Sequence, residues 1–154
     1  MIMGDQKIQF TKEGFEKIEK DFQNLTEKRK EAVSALRSAR EMGDLSENGA
    51  YKAARWELGG IDRQLRRLSY LLKMASVTET KNEGIVDFGR TITLDDGIKK
   101  FTFMLVNNVE SNPSEGKLST NSPIGRAIFG KRKGDTVHVN APSGFKNYTI
   151  VEIQ

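Results

Sequence analysis

Carboxylates, hydroxyls and lysines are the side chains with which this chain could do chemistry. Its 154 residues include no Cys and one His, which excludes a disulfide framework, a thiolate nucleophile and a metal site built from Cys or from several His. Two carboxylates are notable for their spacing, because Asp44 and Glu47 flank Leu45 in the run Arg-Glu-Met-Gly-Asp-Leu-Ser-Glu-Asn that begins at Arg40. They are therefore the first candidates for a functional site.

The spacing of Asp44 and Glu47 fits two roles. In the local role, which is the more frequent on spacing alone, Asp44 is the N-cap of a following helix and Glu47 completes a capping box. In the chemical role, the pair supplies oxygen ligands to a hard cation such as Mg²⁺. Two carboxylates cannot hold Mg²⁺ tightly by themselves, but they could complete a two-metal site elsewhere that already holds a phosphodiester. The two roles are compatible, since capping would orient the carboxylates.

Two long amphipathic stripes surround this pair. Apolar residues recur at spacings of three and four, first at Phe15, Ile18, Phe22, Leu25, Ala32, Leu36 and Ala39, then at Tyr51, Ala54, Leu58, Ile61, Leu65, Leu68 and Leu72. The pattern predicts a helix from the N-cap Thr11 to Gly43 and a second helix after it, paired as an antiparallel coiled-coil hairpin. Arg29 interrupts the first stripe. Gly59-Gly60 interrupts the second helix, where we expect local softness or close backbone approach.

The composition changes near residue 76. All three Pro lie after it, together with more Val, Ile, Thr and Phe. The sequence therefore predicts an α+β protein with a helical hairpin domain at 1–76 and a sheet domain at 80–154. In the second domain we expect an antiparallel sheet with strands at 84–89, 90–94, 98–106, 136–139 and 148–153, and one short helix at 123–130. We expect neither a membrane span nor a signal peptide.

Several motifs, in this order, resemble those of one protein family. They are Phe10–Gly14, Gly43–Asn48 followed by Tyr51 and Ala53–Arg55, Val86–Gly89, and Asn121–Ala127. Over nearly the whole chain they resemble the Gre family of bacterial transcript-cleavage factors, GreA and GreB. Leu45, Val86–Gly89 and Asn121–Pro123 favour the GreA branch, whereas Ile61–Arg63 leans towards GreB.

The resemblance implies a function that the spacing does not. It implies that the second domain has an FKBP-like fold and binds RNA polymerase, while the coiled coil enters the secondary channel of the polymerase. There Asp44 and Glu47 would hold Mg²⁺ jointly with the polymerase and stimulate cleavage of backtracked nascent RNA at its 3′ end, which rescues arrested complexes. The chain would then be a cofactor of the polymerase's own nuclease activity rather than an enzyme, and a monomer in the bacterial cytoplasm.

The resemblance also suggests supporting residues, each with a plainer alternative. Around the carboxylates it suggests support from Arg40, Leu45, Asn48 and Tyr51; in the second domain it suggests partner binding by Ser122, Pro123 and Arg126. Lys52, Arg55 and Arg63 are possible contacts to RNA or to the channel. The basic residues could equally be a solvated helix flank, Tyr51 could simply pack between the helices, and Ser122-Pro123 could simply start a helix.

Two other functions remain open. The chain could be a Gre-like inhibitor that occupies the polymerase channel without cleavage, although the intact Asp44 and Glu47 pair argues against this. It could also be a peptidyl-prolyl isomerase, which is suggested only by the FKBP-like fold and would require measurable isomerase turnover.

Overall fold

The computed structural model describes residues 6–43, 47–79 and 84–154. They divide into two compact units, the first containing Glu13–Ala75 and the second containing Ile8–Lys12 together with the described part of Ser76–Gln154. Residues 8–12 thus belong with the second unit although they lie before or at the start of the first helix, an arrangement that the change in composition does not predict.

The first unit is a pair of long helices, α1 (Lys12–Arg40, 29 residues) and α2 (Gly49–Met74, 26 residues), as predicted. We call this helical hairpin the arm. Its buried apolar residues are Ile18, Ala32, Ala39, Ala54, Ile61 and Leu71. The first five lie on the predicted stripes. Near the end of α2, Leu71 is buried rather than Leu72, as expected because a 3.6-residue turn drifts relative to a strict heptad.

An ion pair occupies the interruption in the first stripe. Arg29 Nε lies 2.7 Å from Asp62 Oδ1 on the opposite helix, and the two side chains are 46% and 33% exposed. The position that interrupts the apolar stripe therefore carries an ion pair that joins α1 to α2.

The glycine pair in α2 does not mark a close approach of another backbone. The helix continues through both residues. A Cβ built on Gly59 or Gly60 would meet only the guanidinium of Arg63, at 3.5 and 3.8 Å. The prediction of close backbone approach was therefore wrong, because the glycines face a flexible side chain of their own helix.

The second unit contains a five-stranded sheet and one short helix, which confirms the predicted fold class. The strands are β3 (Thr91–Asp95), β4 (Lys100–Val106), β5 (Lys117–Ser119), β6 (Thr136–Ala141) and β7 (Gly144–Ile153), in the order β5-β4-β3-β7-β6. Helix α3 spans Pro123–Ile128 and a 3₁₀ turn spans Pro113–Glu115. A separate two-stranded sheet pairs β1 (Ile8–Phe10) with β2 (Ala75–Val77).

Three details of the predicted sheet were wrong. Residues 84–89 form no strand, and Ile85 makes only an isolated bridge to Arg132. Val86 and Phe88 are nevertheless buried, so the apolar alternation reflected burial rather than strand pairing. The sheet is also not wholly antiparallel, because β5 pairs with β4 in parallel; a strand of three residues is too short to stand out in sequence. Finally, β7 begins at Gly144 rather than near Tyr148.

The core of the second unit lies between one face of the sheet and α3. Its buried members are Val86, Ile92, Leu94, Leu105, Ile128, Val137, Val139, Tyr148 and Ile150. The N-terminal residues are fastened to this unit through long-range hydrogen bonds. The Thr11 backbone N–H donates to Glu110 Oε2 at 3.0 Å, and the Thr11 hydroxyl donates to the other carboxylate oxygen. Nearby, the Asn107 side-chain amide donates to the Gln9 carbonyl.

No helix in the described parts of the chain is both long and apolar enough to cross a membrane.

Candidate functional site

The candidate carboxylates lie in the segment that joins the two helices of the arm, residues 41–48, which we call the tip. Its first two residues continue α1 as a tighter turn, because the Glu41 and Met42 N–H groups donate to the carbonyls of Ser38 and Ala39, both at 3.2 Å. Glu47 is exposed. Asp44 and Leu45 lie outside the described residues, so their predicted roles remain predictions.

The N-cap of α2 is Asn48. Its Oδ1 accepts the Tyr51 N–H at 3.2 Å, which satisfies one of the N–H groups left free at a helix start. The predicted capping box was wrong, because Glu47 precedes the cap and therefore cannot be its third helical residue. Glu47 is thus not required for capping, and its side chain points into solvent.

Asn48 also contacts the other helix of the arm. Its Nδ2 donates to the carbonyl oxygen of Ala39 at 2.7 Å, one of the carbonyls that a helix C-terminus leaves without a partner within the helix. This second contact favours Asn over Asp as the cap, because only the amide offers a donor together with an acceptor.

Arg40 and Tyr51 meet beside this cap. The guanidinium carbon of Arg40 lies 5.9 Å from the centroid of the Tyr51 ring, within the range of a cation–π contact. Tyr51 is half-buried and Arg40 is exposed. The structure therefore brings together three of the four residues expected around the carboxylates, Arg40, Asn48 and Tyr51.

The basic residues of α2 face solvent. Lys52, Arg55 and Arg63 are all exposed, and none forms an ion pair within the part of the chain that the structure describes. Two large aromatic residues share this helix surface, Trp56 at 78% exposure and Tyr70 at 58%. Tyr70 was missed in the sequence, where an aromatic residue off the stripe gives no signal of its exposure.

In the second unit, Ser122 and Pro123 start α3. Ser122 Oγ accepts the Gly125 N–H at 3.0 Å and donates to the Ser119 carbonyl at 2.7 Å, while Pro123 occupies the first helical turn. Both residues therefore have the local structural role that their sequence suggested, whatever else they contact.

Arg126 lies in a groove of about 360 Å³. The groove is lined by Gln9, Thr120, Asn121, Arg126 and Phe129. Arg126 is the only charged residue among the described residues that line it, and Phe129 is 49% exposed. Gln9 was missed because it is more than one hundred positions from the rest of the groove, and only the fastening of β1 to this unit brings it there.

A second concavity in this unit is apolar. It has a volume of about 460 Å³ and is lined in part by Phe101, Phe103, Ile124 and Tyr148. The Phe101 and Tyr148 rings pack edge to face, with centroids 6.3 Å apart. Lys100, Thr102 and Lys117 also line this concavity, so polar groups lie beside its aromatic surface.

The described residues contain no group of three or more His, Cys, Asp or Glu side chains that could hold a metal ion. At the tip the described carboxylates are Glu41 and Glu47, and both are exposed. Carboxylate oxygen is a donor that Mg²⁺ accepts, so the donor type fits this cation.

Comparison with known proteins assigns both halves of the chain to the same family. Residues 8–77 match the family model described as "Transcription elongation factor, N-terminal", and residues 81–154 match "Transcription elongation factor, GreA/GreB, C-term".

Curated relatives agree with these matches. Transcription elongation factor GreA of Neisseria meningitidis serogroup A is 38% identical over 97% of this chain and 98% of its own length. Its counterpart in Staphylococcus aureus strain JH9 is 39% identical over 94% of each chain. Among solved structures, GreA factor homolog 1 (Gfh1) of Thermus thermophilus is 25% identical over 96% of this chain and 99% of its own, with a TM-score of 0.46. By its sequence in both halves, the chain belongs to the GreA/GreB family of transcription elongation factors.

Proposed function

We propose that this elongation factor binds RNA polymerase through its second unit, inserts the arm into the secondary channel, and stimulates Mg²⁺-dependent cleavage of backtracked nascent RNA. The reaction would release a short 3′ fragment and rescue the arrested complex. The observation that carries the proposal is the location of Asp44 and Glu47 in sequence, between two helices of 29 and 26 residues. At 1.5 Å per residue, such helices place the tip roughly 40 Å from the other end of the arm.

The exposure of Glu47 supports a role outside the fold. The side chain is exposed, it has no ion pair among the described residues, and Asn48 performs the capping that Glu47 could have served. An exposed carboxylate with no local structural task is available to a partner.

Mg²⁺ would be held jointly, by carboxylate oxygens of Asp44 and Glu47 and by ligands of the polymerase. When bound, it supplies an activated water and charge neutralisation at the phosphodiester. The chain's own contribution is to carry two negative charges into the site and to hold them in place. Because the donors come from two proteins, we propose that the chain does not bind Mg²⁺ stably alone.

The second unit offers a surface suited to docking. The groove beside α3 combines one guanidinium, Arg126, with an exposed aromatic ring, Phe129. Arg and aromatic residues are enriched where protein interfaces gain most of their affinity. We propose that Ser122 and Pro123 set the direction of α3 so that Arg126 faces the polymerase.

Lys52, Arg55 and Arg63 add positive charge along α2. We propose that they contact the RNA or acidic walls of the channel, with a phosphate-type electrostatic contribution that weakens as salt rises. Their exposure and their lack of ion pairs within the described chain support this role.

The test uses arrested elongation complexes whose RNA is labelled at its 5′ end, incubated with wild-type factor or with Asp44→Ala, Glu47→Ala or the double variant. We expect wild type to shorten the RNA and the double variant to lose this activity while still competing with wild type for the polymerase. Glu31→Ala is the matched control, because Glu31 is an exposed carboxylate in the middle of α1 and should not be needed. Equal cleavage by wild type and the double variant would refute the carboxylate mechanism.

The same assay separates the alternatives. If the wild-type factor slows elongation without shortening any RNA, the chain is a channel-binding inhibitor. Docking is tested independently by the binding affinity of Arg126→Ala for the polymerase, with the exposed Lys133→Ala as control. We expect the Arg126 variant to bind at least tenfold more weakly, because truncation at an interface anchor costs about 2 kcal/mol or more, and the control to bind normally.

A further inference from the structure

We infer that Asn48 is a positioning residue that holds the tip by capping both helices of the arm at once. The inference rests on the proposed function, because it concerns how the carboxylates of the tip are held for use. Asn48 caps α2 with its acceptor and the end of α1 with its donor, so that one side chain joins the two helix ends between which Asp44 and Glu47 lie in sequence.

The two contacts use opposite ends of the same amide. Oδ1 accepts the Tyr51 N–H at 3.2 Å, and Nδ2 donates to the Ala39 carbonyl at 2.7 Å. The Ala39 carbonyl also accepts the Met42 N–H at 3.2 Å, so both of its lone pairs are used. Ala39 is 4% exposed, and loss of the Asn48 donor would leave its carbonyl with the Met42 N–H as its one remaining partner among these contacts.

A second contact spans the same place. Arg40 follows Ala39 at the end of α1, and its guanidinium lies over the ring of Tyr51 in the first turn of α2. The helix ends are therefore joined by one partly buried hydrogen bond and one surface contact. The Asn48 contact is the more directional of the two, since a hydrogen bond weakens steeply with angle, whereas a cation–π contact at the surface tolerates a range of positions.

Fixing both ends of the tip restricts where its carboxylates can go. A tip whose two ends are held close samples fewer conformations than one whose ends are free. Replacing a residue that holds a metal ligand in position typically lowers activity or metal affinity 10–100-fold. Since polymerase docking is assigned to the second unit, loss of the Asn48 contacts should reduce the rate of cleavage in the bound complex rather than the affinity of the factor.

The test separates the two halves of the amide. Asn48→Asp keeps an acceptor for the Tyr51 N–H, in a position where negative charge suits the helix start, but it loses the donor to Ala39. Asn48→Ala loses both. Asn24→Asp, at an exposed position on α1, makes the same chemical change away from the tip and is the control.

We expect Asn48→Asp to fold with wild-type helicity and to bind the polymerase with wild-type affinity, yet to lower the cleavage rate at saturating factor about 10–100-fold. It should also require more Mg²⁺ for half-maximal cleavage. Asn24→Asp should match wild type. A wild-type cleavage rate for Asn48→Asp, or a loss confined to polymerase affinity, would overturn the inference.

Amide hydrogen exchange tests the contact without the polymerase. In Asn48→Asp, the Met42 N–H at the end of α1 should exchange faster, while the Tyr51 N–H stays protected. Unchanged protection at Met42 would overturn the inference. If the wild-type factor cleaves no RNA at all, the proposed function fails, and the exchange result alone then decides whether Asn48 holds the two helix ends together.

Discussion

Replacing Gly59 and Gly60 with alanine should stabilise the arm. Both glycines lie inside α2, where glycine is less favourable than alanine by about 1 kcal/mol because its unfolded backbone has more freedom to lose. Neither glycine has a positive φ, so alanine fits the existing backbone.

Whether steric strain in the folded arm would offset this gain in stability depends on what each new Cβ would contact. A Cβ at Gly59 would lie 3.5 Å from a guanidinium nitrogen of Arg63, and one at Gly60 would lie 3.8 Å from the other. Both are ordinary contacts with the end of a flexible side chain, so no strain needs to be subtracted. The double variant should therefore gain about 2 kcal/mol, which corresponds to a rise in Tm of roughly 8–16 °C for a unit of this size.

The measurement is thermal and urea unfolding followed by far-ultraviolet circular dichroism, which reports mainly on the two long helices. The matched control is Gly125→Ala in α3, where a Cβ would overlap the Ser119 carbonyl oxygen and lie 3.0 Å from Ser122 Oγ. That variant should destabilise the second unit by about 1–3 kcal/mol. If the Gly59→Ala, Gly60→Ala variant melts at or below the wild-type temperature, the reasoning is refuted, and the glycines must serve a conformation other than the continuous helix.

Three further outcomes follow from individual contacts. In a double-mutant cycle, Arg29→Ala and Asp62→Ala should show a coupling of about 0.5 kcal/mol in the free energy of unfolding, which is modest because both side chains are partly exposed. About 1 M salt should abolish this coupling, and a coupling that persists in salt would contradict a mainly electrostatic pair. Glu110→Gln replaces the carboxylate that accepts two hydrogen bonds from Thr11 with a neutral amide, so it should destabilise the second unit by about 1–3 kcal/mol in urea unfolding. An unchanged urea midpoint would show that the N-terminal residues are held by other contacts. The backbone N–H groups of Lys99 and Ile98 lower the pKa of the Asp96 carboxyl. The contribution of this carboxylate to stability is therefore complete above the ordinary aspartate pKa of about 3.9, and it is lost as the pH falls through the lowered pKa. The stability difference between wild type and Asp96→Asn should shrink on acidification, and a pH-independent difference would contradict this.

The elements that could be predicted from the sequence are those specified by local periodicity. The two stripes of the arm predicted both helices, because residues three and four apart lie on one face of a helix whatever surrounds it. The same logic identified α3, whose Ser-Pro start satisfies free N–H groups and fixes φ within a few residues. The prediction of a strand at residues 84–89 was wrong, because an alternating apolar pattern indicates burial on one side only. Whether a strand forms depends on a pairing partner, which the local sequence does not specify.

The candidate carboxylates were also identified from the sequence, but the residues around them were not understood from it. Asp44 and Glu47 followed from residue type and spacing, and the resemblance suggested Asn48 without a physical role. The spacing suggested an Asp-initiated cap instead. The true cap could not be predicted, because its second hydrogen bond goes to Ala39 on the other helix, and that contact exists only once the two helices pair.

The sequence by itself determined the two helices, the sheet-rich second half, the family and the pair of carboxylates between the helices, because each depends on residue types and short spacings. Tertiary structure alone decided that Arg29 joins the two helices through Asp62, that Thr11 is held by Glu110, and that Asn48 caps both helices of the arm. Each of these includes a directional contact between groups on different elements of the fold. Such a contact forms only after apolar burial has fixed how the two elements align. Its partner therefore cannot be predicted from the local sequence.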